Sequence, residues 1–134
     1  MRWVTGEGTA SVVTLVSFGY RYGIPPAAEL LFDVRFLPNP HFEPALRPKT
    51  GLDAEVAAFV LEHERTVELL ARLGDFLDYL LTRYDAEGKA YLTVAIGCTG
   101  GRHRSVAVAT ALAERLRAAG REVNVQHRDV EKEP

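Results

Sequence analysis

The ten residues "IGCTGGRHRS", Ile96 to Ser105, hold most of the groups in this chain that could do chemistry. They include the only cysteine, two adjacent glycines, two arginines and a histidine. Cys98 and Arg104 satisfy the spacing C-x5-R-S, and Gly101 extends it to C-x-x-G-x-x-R-S. A thiolate at a helix N-terminus among arginines is the nucleophile of a cysteine-dependent phosphatase, with the arginine and main-chain amides holding the phosphoryl oxygens. Asp33 or Asp129 would then protonate the leaving group. The histidine that usually precedes such a cysteine is absent, because position 97 is glycine. The same loop also reads as a passive cradle. A glycine-rich turn between strand and helix gathers main-chain N–H groups around an anion, and the helix dipole adds positive potential. Arginine suits phosphate because its planar fork donates two parallel hydrogen bonds. In the plainest reading, Cys98 is a small buried hydrophobe at a strand end.

Two other loops hold unusual residues. "SFGYRYG" presents Tyr20, Arg21 and Tyr22, a phenol-and-guanidinium wall or a simple turn. "DVRFLPNPHFEP" presents Asp33, Arg35, Asn39 and His41 at and beyond a strand end. Asp33 and Arg35 alternate, so they share one side of the strand and could form an ordinary ion pair. Its proline density favours one held shape, which a preformed site needs. The four histidines have no metal-ligand spacing and there is no second cysteine, so no metal and no cofactor is expected. No glycine-rich run ends in Gly-Lys-Ser or Gly-Lys-Thr, which removes a Walker-type kinase or GTPase.

The elements that must position these loops follow from hydrophobic period. Ser11 to Phe18, Glu29 to Leu37, Tyr91 to Gly97 and Glu122 to Arg128 read as strands, the first nearly continuously apolar. Apolar residues from Val56 to Tyr84 recur at three- and four-residue steps, too long a run for one ordinary helix, so two are expected, with Asp53 as a candidate cap. Val106 to Leu116 marks a further helix that Gly120 stops. Strands separated by helical segments predict an α/β fold: a single domain with a mainly parallel sheet of about four strands, flanked by helices. The ligand crevice of such a sheet lies at the strand carboxyl ends, where all three loops fall. The expected organisation is a leader over 1–10, the α/β domain over 11–128 and a charged tail over 129–134.

With 134 residues, a net charge of -2 and a pI near 6.1, the chain suits one soluble domain and is not a strongly cationic nucleic-acid binder. One cysteine rules out an internal disulfide. No apolar run approaches a signal peptide or a membrane span, so a cytoplasmic protein with no membrane partner is expected.

Taken together, "SFGYRYGIP", "FDVRFLPNPHFEPALRPKTGLD", "YLTVAIGCTGGRHRSV" and "HRDVEK" resemble, in order and spacing, the C-terminal domain of the RapZ (YvcJ) family. The resemblance runs from about Val13 to Lys132. Full-length members carry an N-terminal P-loop nucleotide-binding domain, and that half is expected to be missing here, so ATP or GTP binding does not transfer. The resemblance implies a domain similar to a phosphofructokinase subdomain. In the enterobacterial member it binds a small regulatory RNA and senses glucosamine 6-phosphate, acting through an RNase partner.

Carried onto this sequence, the resemblance implies that Thr99, Gly100, Gly101, His103, Arg104 and Ser105 hold a phosphate, and the charge of the loop itself adds Arg102. The resemblance also brings Asp33, Arg35, Asn39 and His41 to the pocket wall, to which the aromatic loop adds Tyr20 and Arg21. It further implies a homo-oligomer, and partners that include an RNase or a separate nucleotide-binding protein. Enterobacterial relatives end in a basic run, whereas this chain ends "EKEP". Phosphate-backbone binding rests on Lys/Arg neutralisation, so RNA contact is weakened, with a face bearing Arg102, Arg104, Arg121 and Arg128 left to carry it. The expectation is non-catalytic binding of a phosphorylated small metabolite by a sensor or adaptor. An RNA-binding module and a cysteine-dependent phosphatase are the alternatives.

Overall fold

A computed structural model describes residues 10–133. The expected leader therefore lies, but for its last residue, outside the described residues. Four strands, β1 (Val12–Gly19), β2 (Leu30–Asp33), β3 (Tyr91–Cys98) and β4 (Val123–His127), form one sheet in the order β2-β3-β1-β4. Every pairing is parallel, with Val13 opposite Leu92 and Val123, and Leu30 opposite Val94. Three helices complete the domain: α1 (Ala54–Leu61), α2 (Glu64–Ala86) and α3 (Arg104–Ala118). The expected α/β domain with a parallel sheet is what the chain forms.

Handedness decides where the helices go. Parallel crossovers are right-handed. The β2-to-β3 connection, through α1 and α2, and the β3-to-β4 connection, through α3, step in the same direction across the sheet. Both therefore cover the same face. The β1-to-β2 connection steps the other way and must cross the opposite face, and it contains only a single 3-10 turn, Tyr20–Tyr22. The core accordingly lies on the helical side. Val13, Leu15, Leu92, Val94 and Ile96 of the strands pack with Leu73, Leu77 and Leu81 of α2 and Val108, Leu112 and Leu116 of α3. On the other face, Tyr91, Asn124 and Gln126 are exposed.

Two local expectations change. The second strand stops at Asp33 instead of Leu37. Beyond it Val34 turns inward to full burial, and Arg35 folds back to pair with Asp33 at 2.7 Å. Asp53 takes the expected N-cap position of α1, but its carboxylate accepts the N–H of Thr50 at 2.8 Å and makes no capping bond to the helix. The two-helix reading of 52–84 holds, and the break comes at His63, whose Nδ1 accepts the N–H of Arg65 and starts α2. Gly120, at φ +92, follows α3 as expected.

Candidate functional site

The direction in which connections step across the sheet reverses between β1 and β3. From β1 the connection runs towards β2, and from β3 it runs towards β4, so their carboxyl ends flank a crevice at the switch point. The two walls touch through the main chain: the N–H of Arg21 donates to the carbonyl of Thr99 at 3.1 Å. They touch so closely that only glycine fits. A Cβ on Gly101, at φ +79, would lie 2.5 Å from the Gly19 nitrogen, and one on Gly19 would lie 2.4 Å from the Gly100 carbonyl carbon. A third constraint sits at position 97, where a Cβ would fall 2.4 Å from the Phe18 ring. The histidine of a phosphatase loop therefore has no room there.

The crevice opens into a cavity of about 410 Å3 lined by Arg21, Asn39, His41, Phe42, Cys98, Thr99, Gly100, Arg102, His103, Arg104 and Glu133. In the loop beside it, the main-chain N–H groups of Gly100, Gly101, Arg102 and His103 have no protein acceptor among the described residues. Four consecutive donors without a protein acceptor at the start of α3 are what an anion-binding loop offers.

Arg104 is only 5 % exposed. Its Nη1 donates to the carbonyls of Arg35 (2.5 Å) and Leu37 (3.2 Å), and its Nη2 lies 3.4 Å from the Thr99 hydroxyl. Its Nε is buried without any acceptor. Burial pulls the guanidinium below its ordinary pKa while Cys98 and Asp33 favour the charge, and it remains a cation at neutral pH. Arg102 repeats the pattern. Its Nη1 donates to the carbonyls of Val130 (2.9 Å) and Lys132 (2.8 Å), its Nη2 to that of Pro48 (2.9 Å), and its Nε is also buried and unpaired. Both guanidinium groups are thus clamped by carbonyls, and each keeps its buried Nε–H unused. A buried donor without a partner is costly, which an anion in the cavity would relieve.

His103 is 7 % exposed, and burial, with Arg102 adding, lowers its pKa, so the imidazole is neutral. Its Nε2 faces the Arg47 carbonyl at 3.2 Å and must carry the proton there. Cys98 is 2 % exposed, and its sulfur accepts the N–H of Ser105 at 3.3 Å with the Ser105 hydroxyl at 3.1 Å. Of the two candidate proton donors, Asp33 is held low by the hydrogen bonds of Arg35. Asp129 is buried against the N–H of Gly19 at 2.8 Å and paired with Arg128.

The structure therefore gathers Arg21, Asn39, His41, Thr99, Gly100, Arg102, His103 and Arg104 around one space. It leaves Tyr20, Asp33, Arg35, Gly101 and Ser105 off the wall. Tyr20 packs edge-on against Phe18 with the Arg35 guanidinium 3.8 Å from its ring centre, bracing the wall from behind. Gly101 shapes the loop, and Ser105 holds the cysteine.

The expected basic face does not form. Arg121 follows α3, whose fifteen residues span about 22 Å. It lies at the opposite end of the sheet, in a two-point pair with Asp85. Arg128 binds Asp129 and the Gly23 carbonyl. Asp129, read as part of a charged tail, is 1 % exposed and belongs to the packed domain. Among the described residues, no group of three or more His, Cys, Asp and Glu could hold a metal, and no helix is long and apolar enough to cross a membrane.

Sequence reasoning missed Phe42 and Glu133. Phe42, 73 % exposed beside His41, follows the proline-rich loop and carries a weak signal as a surface aromatic. Glu133 carries none, because its place depends on the return of the last turn to α3.

A family model described as the RapZ C-terminal domain matches residues 11–131. A protein of Anaeromyxobacter sp. (strain K) named nucleotide-binding protein is 61 % identical over 132 residues, covering 98 % of this chain and 45 % of that protein. A protein of the same name from Geobacter metallireducens is 56 % identical over 131 residues, covering 96 % and 46 %. A third, from Trichlorobacter lovleyi, is 53 % identical over 134 residues, covering 98 % and 47 %. The chain spans about half the length of the curated relatives it matches.

Proposed function

The chain belongs to the RapZ C-terminal domain family, and on that premise we propose that its cavity binds a phosphorylated small metabolite without turnover, as a sensor or adaptor. The observation that carries this reading is Arg104. Its guanidinium is buried, fixed by two carbonyls and left with an unpaired Nε–H, and it follows directly on four main-chain N–H groups without a protein acceptor. Such a set suits an oxyanion such as phosphate.

Beyond the oxyanion cradle, Asn39, His41, Phe42 and Arg21 offer polar groups and a ring face to the rest of the ligand. An amino-sugar phosphate such as glucosamine 6-phosphate is the class we assign, on the strength of the family resemblance. The relatives are named for nucleotide binding, but this chain matches under half of each, so a nucleoside monophosphate serves as a comparator in the test.

The case against turnover rests on the candidate acids. Asp33 is paired with Arg35, and Asp129 is buried against the Gly19 N–H. Neither aspartate is free to protonate a leaving group, and the one acid among the described lining residues, Glu133, stands on the C-terminal turn away from the sulfur's own loop.

The decisive experiment titrates the protein with glucosamine 6-phosphate, glucosamine, inorganic phosphate and adenosine 5'-monophosphate by calorimetry, assaying phosphate release in the same samples. We expect saturable binding of the phosphosugar and none of glucosamine. Affinity should fall at least about tenfold in Arg104→Met, the loss of one charged hydrogen-bonding partner, and no phosphate should be released. Phosphate release that disappears in Cys98→Ser would replace this reading with the phosphatase. Absence of binding by every phosphorylated compound would remove it altogether.

A further inference from the structure

The C-terminal turn is part of the cavity mouth. Asp129 accepts from Gly19 at its start, and Lys132 donates its N–H to the Asp129 carbonyl at 3.1 Å. Arg102 clamps the turn through the carbonyls of Val130 and Lys132. The Lys132 ammonium lies 4.6 Å from the Tyr22 ring centre, which fastens the turn to the wall after β1. The next residue, Glu133, is therefore delivered to the cavity rim. Among the described residues that line the cavity it is the only acid, facing a lining with three arginines.

We infer that Glu133 sets the specificity of this cavity by disfavouring ligands whose negative charge extends beyond a single phosphate group. This rests on the anion-binding reading. One phosphate seated on the main-chain donors and Arg104 lies at the floor, where the arginines outweigh a rim carboxylate. A second phosphate must extend towards the mouth and approach Glu133, and like charges at a solvated rim repel without a neutralising partner. The cradle by itself would welcome a more highly charged anion. The rim acid turns that preference round and admits a ligand whose body is neutral or cationic.

The test compares inorganic phosphate with pyrophosphate, titrated by calorimetry into the wild-type chain, Glu133→Gln and Glu131→Gln. Glu131 is exposed on the same turn but is not part of the lining, so it reports the effect of net charge alone. Glu133→Gln should tighten pyrophosphate about three- to fivefold more than it tightens phosphate, the size of one unit charge at a wet rim. Glu131→Gln should move both ligands equally and by less than about twofold. An unchanged phosphate-to-pyrophosphate ratio in Glu133→Gln overturns the inference and leaves the anion site standing. The same change in Glu131→Gln also overturns it, because a diffuse field would then explain the preference. Failure of both anions to bind any of the three proteins overturns the anion-binding reading, and this inference with it.

Discussion

The carboxylate of Asp129 accepts the main-chain N–H of Gly19 at 2.8 Å, joining residues 110 positions apart in the chain. The bond ties the end of β1 to the C-terminal turn directly behind Gly101, whose backbone fits between them. It holds the two walls of the crevice at one spacing, so the cavity is built before any ligand arrives. Asp129→Ala would leave the Gly19 N–H buried and unpaired and would free Arg128 from its 2.8 Å ion pair. The expected loss is about 3 kcal/mol in urea denaturation, with Asp129→Asn intermediate because its carbonyl can still accept. A loss under about 1 kcal/mol would show that the turn is not what holds the walls.

Gly101→Ala should be among the most damaging single-methyl changes in the chain. The residue sits at φ +79, and the added Cβ would fall 2.5 Å from the Gly19 nitrogen and 2.9 Å from Asp129. Backbone strain and overpacking together predict a destabilisation of about 2–4 kcal/mol. Gly88→Ala provides the comparison, since its φ is +77 but nothing lies within 4 Å. Its cost should be strain alone, about 1–2 kcal/mol. Equal losses in the two variants would mean that close approach contributes nothing at Gly101.

Arg121 should matter for stability and not for ligand. It forms a two-point pair with Asp85 at the end of the sheet remote from the cavity, with side chains 15 % and 27 % exposed. Burial raises the Asp85 carboxyl, yet the hydrogen bond from Arg121 and that from the Ser11 N–H together hold it below the usual range. Arg121→Gln is expected to lower unfolding free energy by about 1–2 kcal/mol while leaving phosphosugar affinity within about twofold. A large, salt-dependent loss of RNA binding in this variant, at unchanged stability, would restore the basic-face reading.

Mild acidification should weaken the fold through its buried histidines. Burial lowers the pKa of both His103 and His127, so the folded chain keeps these imidazoles neutral. The unfolded chain takes up protons near the ordinary value of about 6.5. Because the unfolded state binds more protons, this stability is fully present above that value. It is lost as pH falls from there through the lower folded values, at no more than about 1.4 kcal/mol per pH unit for each histidine. His127 is held by Ser17, whose hydroxyl lies 2.7 Å from Nδ1, and His103 by the Arg47 carbonyl. Denaturation midpoints should stay level from pH 7.5 to about 6.5 and fall from there to pH 5.5, with a shallower slope in His103→Gln. A flat profile would show that both rings can be protonated in place.

The sequence alone determined the parts of this protein that depend on local pattern. Apolar period placed four strands and three helices, because a strand repeats every two residues and a helix every 3.6. Parallel strands linked by helices then required the crevice at the carboxyl ends, so the place of Thr99, Gly100, His103 and Arg104 on that crevice was legible without coordinates. Tertiary structure decided which charges are available. Arg102, Arg104, Arg121 and Arg128 look alike in sequence, but a guanidinium is defined by its acceptors. Two of the four meet carboxylates, and the two on the cavity meet carbonyls and keep a buried Nε–H unpaired. The same holds for Asp129 and Glu133, four residues apart in a short acidic stretch. One is buried as a brace and the other is delivered to the rim, because the turn between them is clamped by Arg102 from a distant element. No local period records such a long-range contact, and it is these contacts that turn a glycine-rich loop into a shaped site.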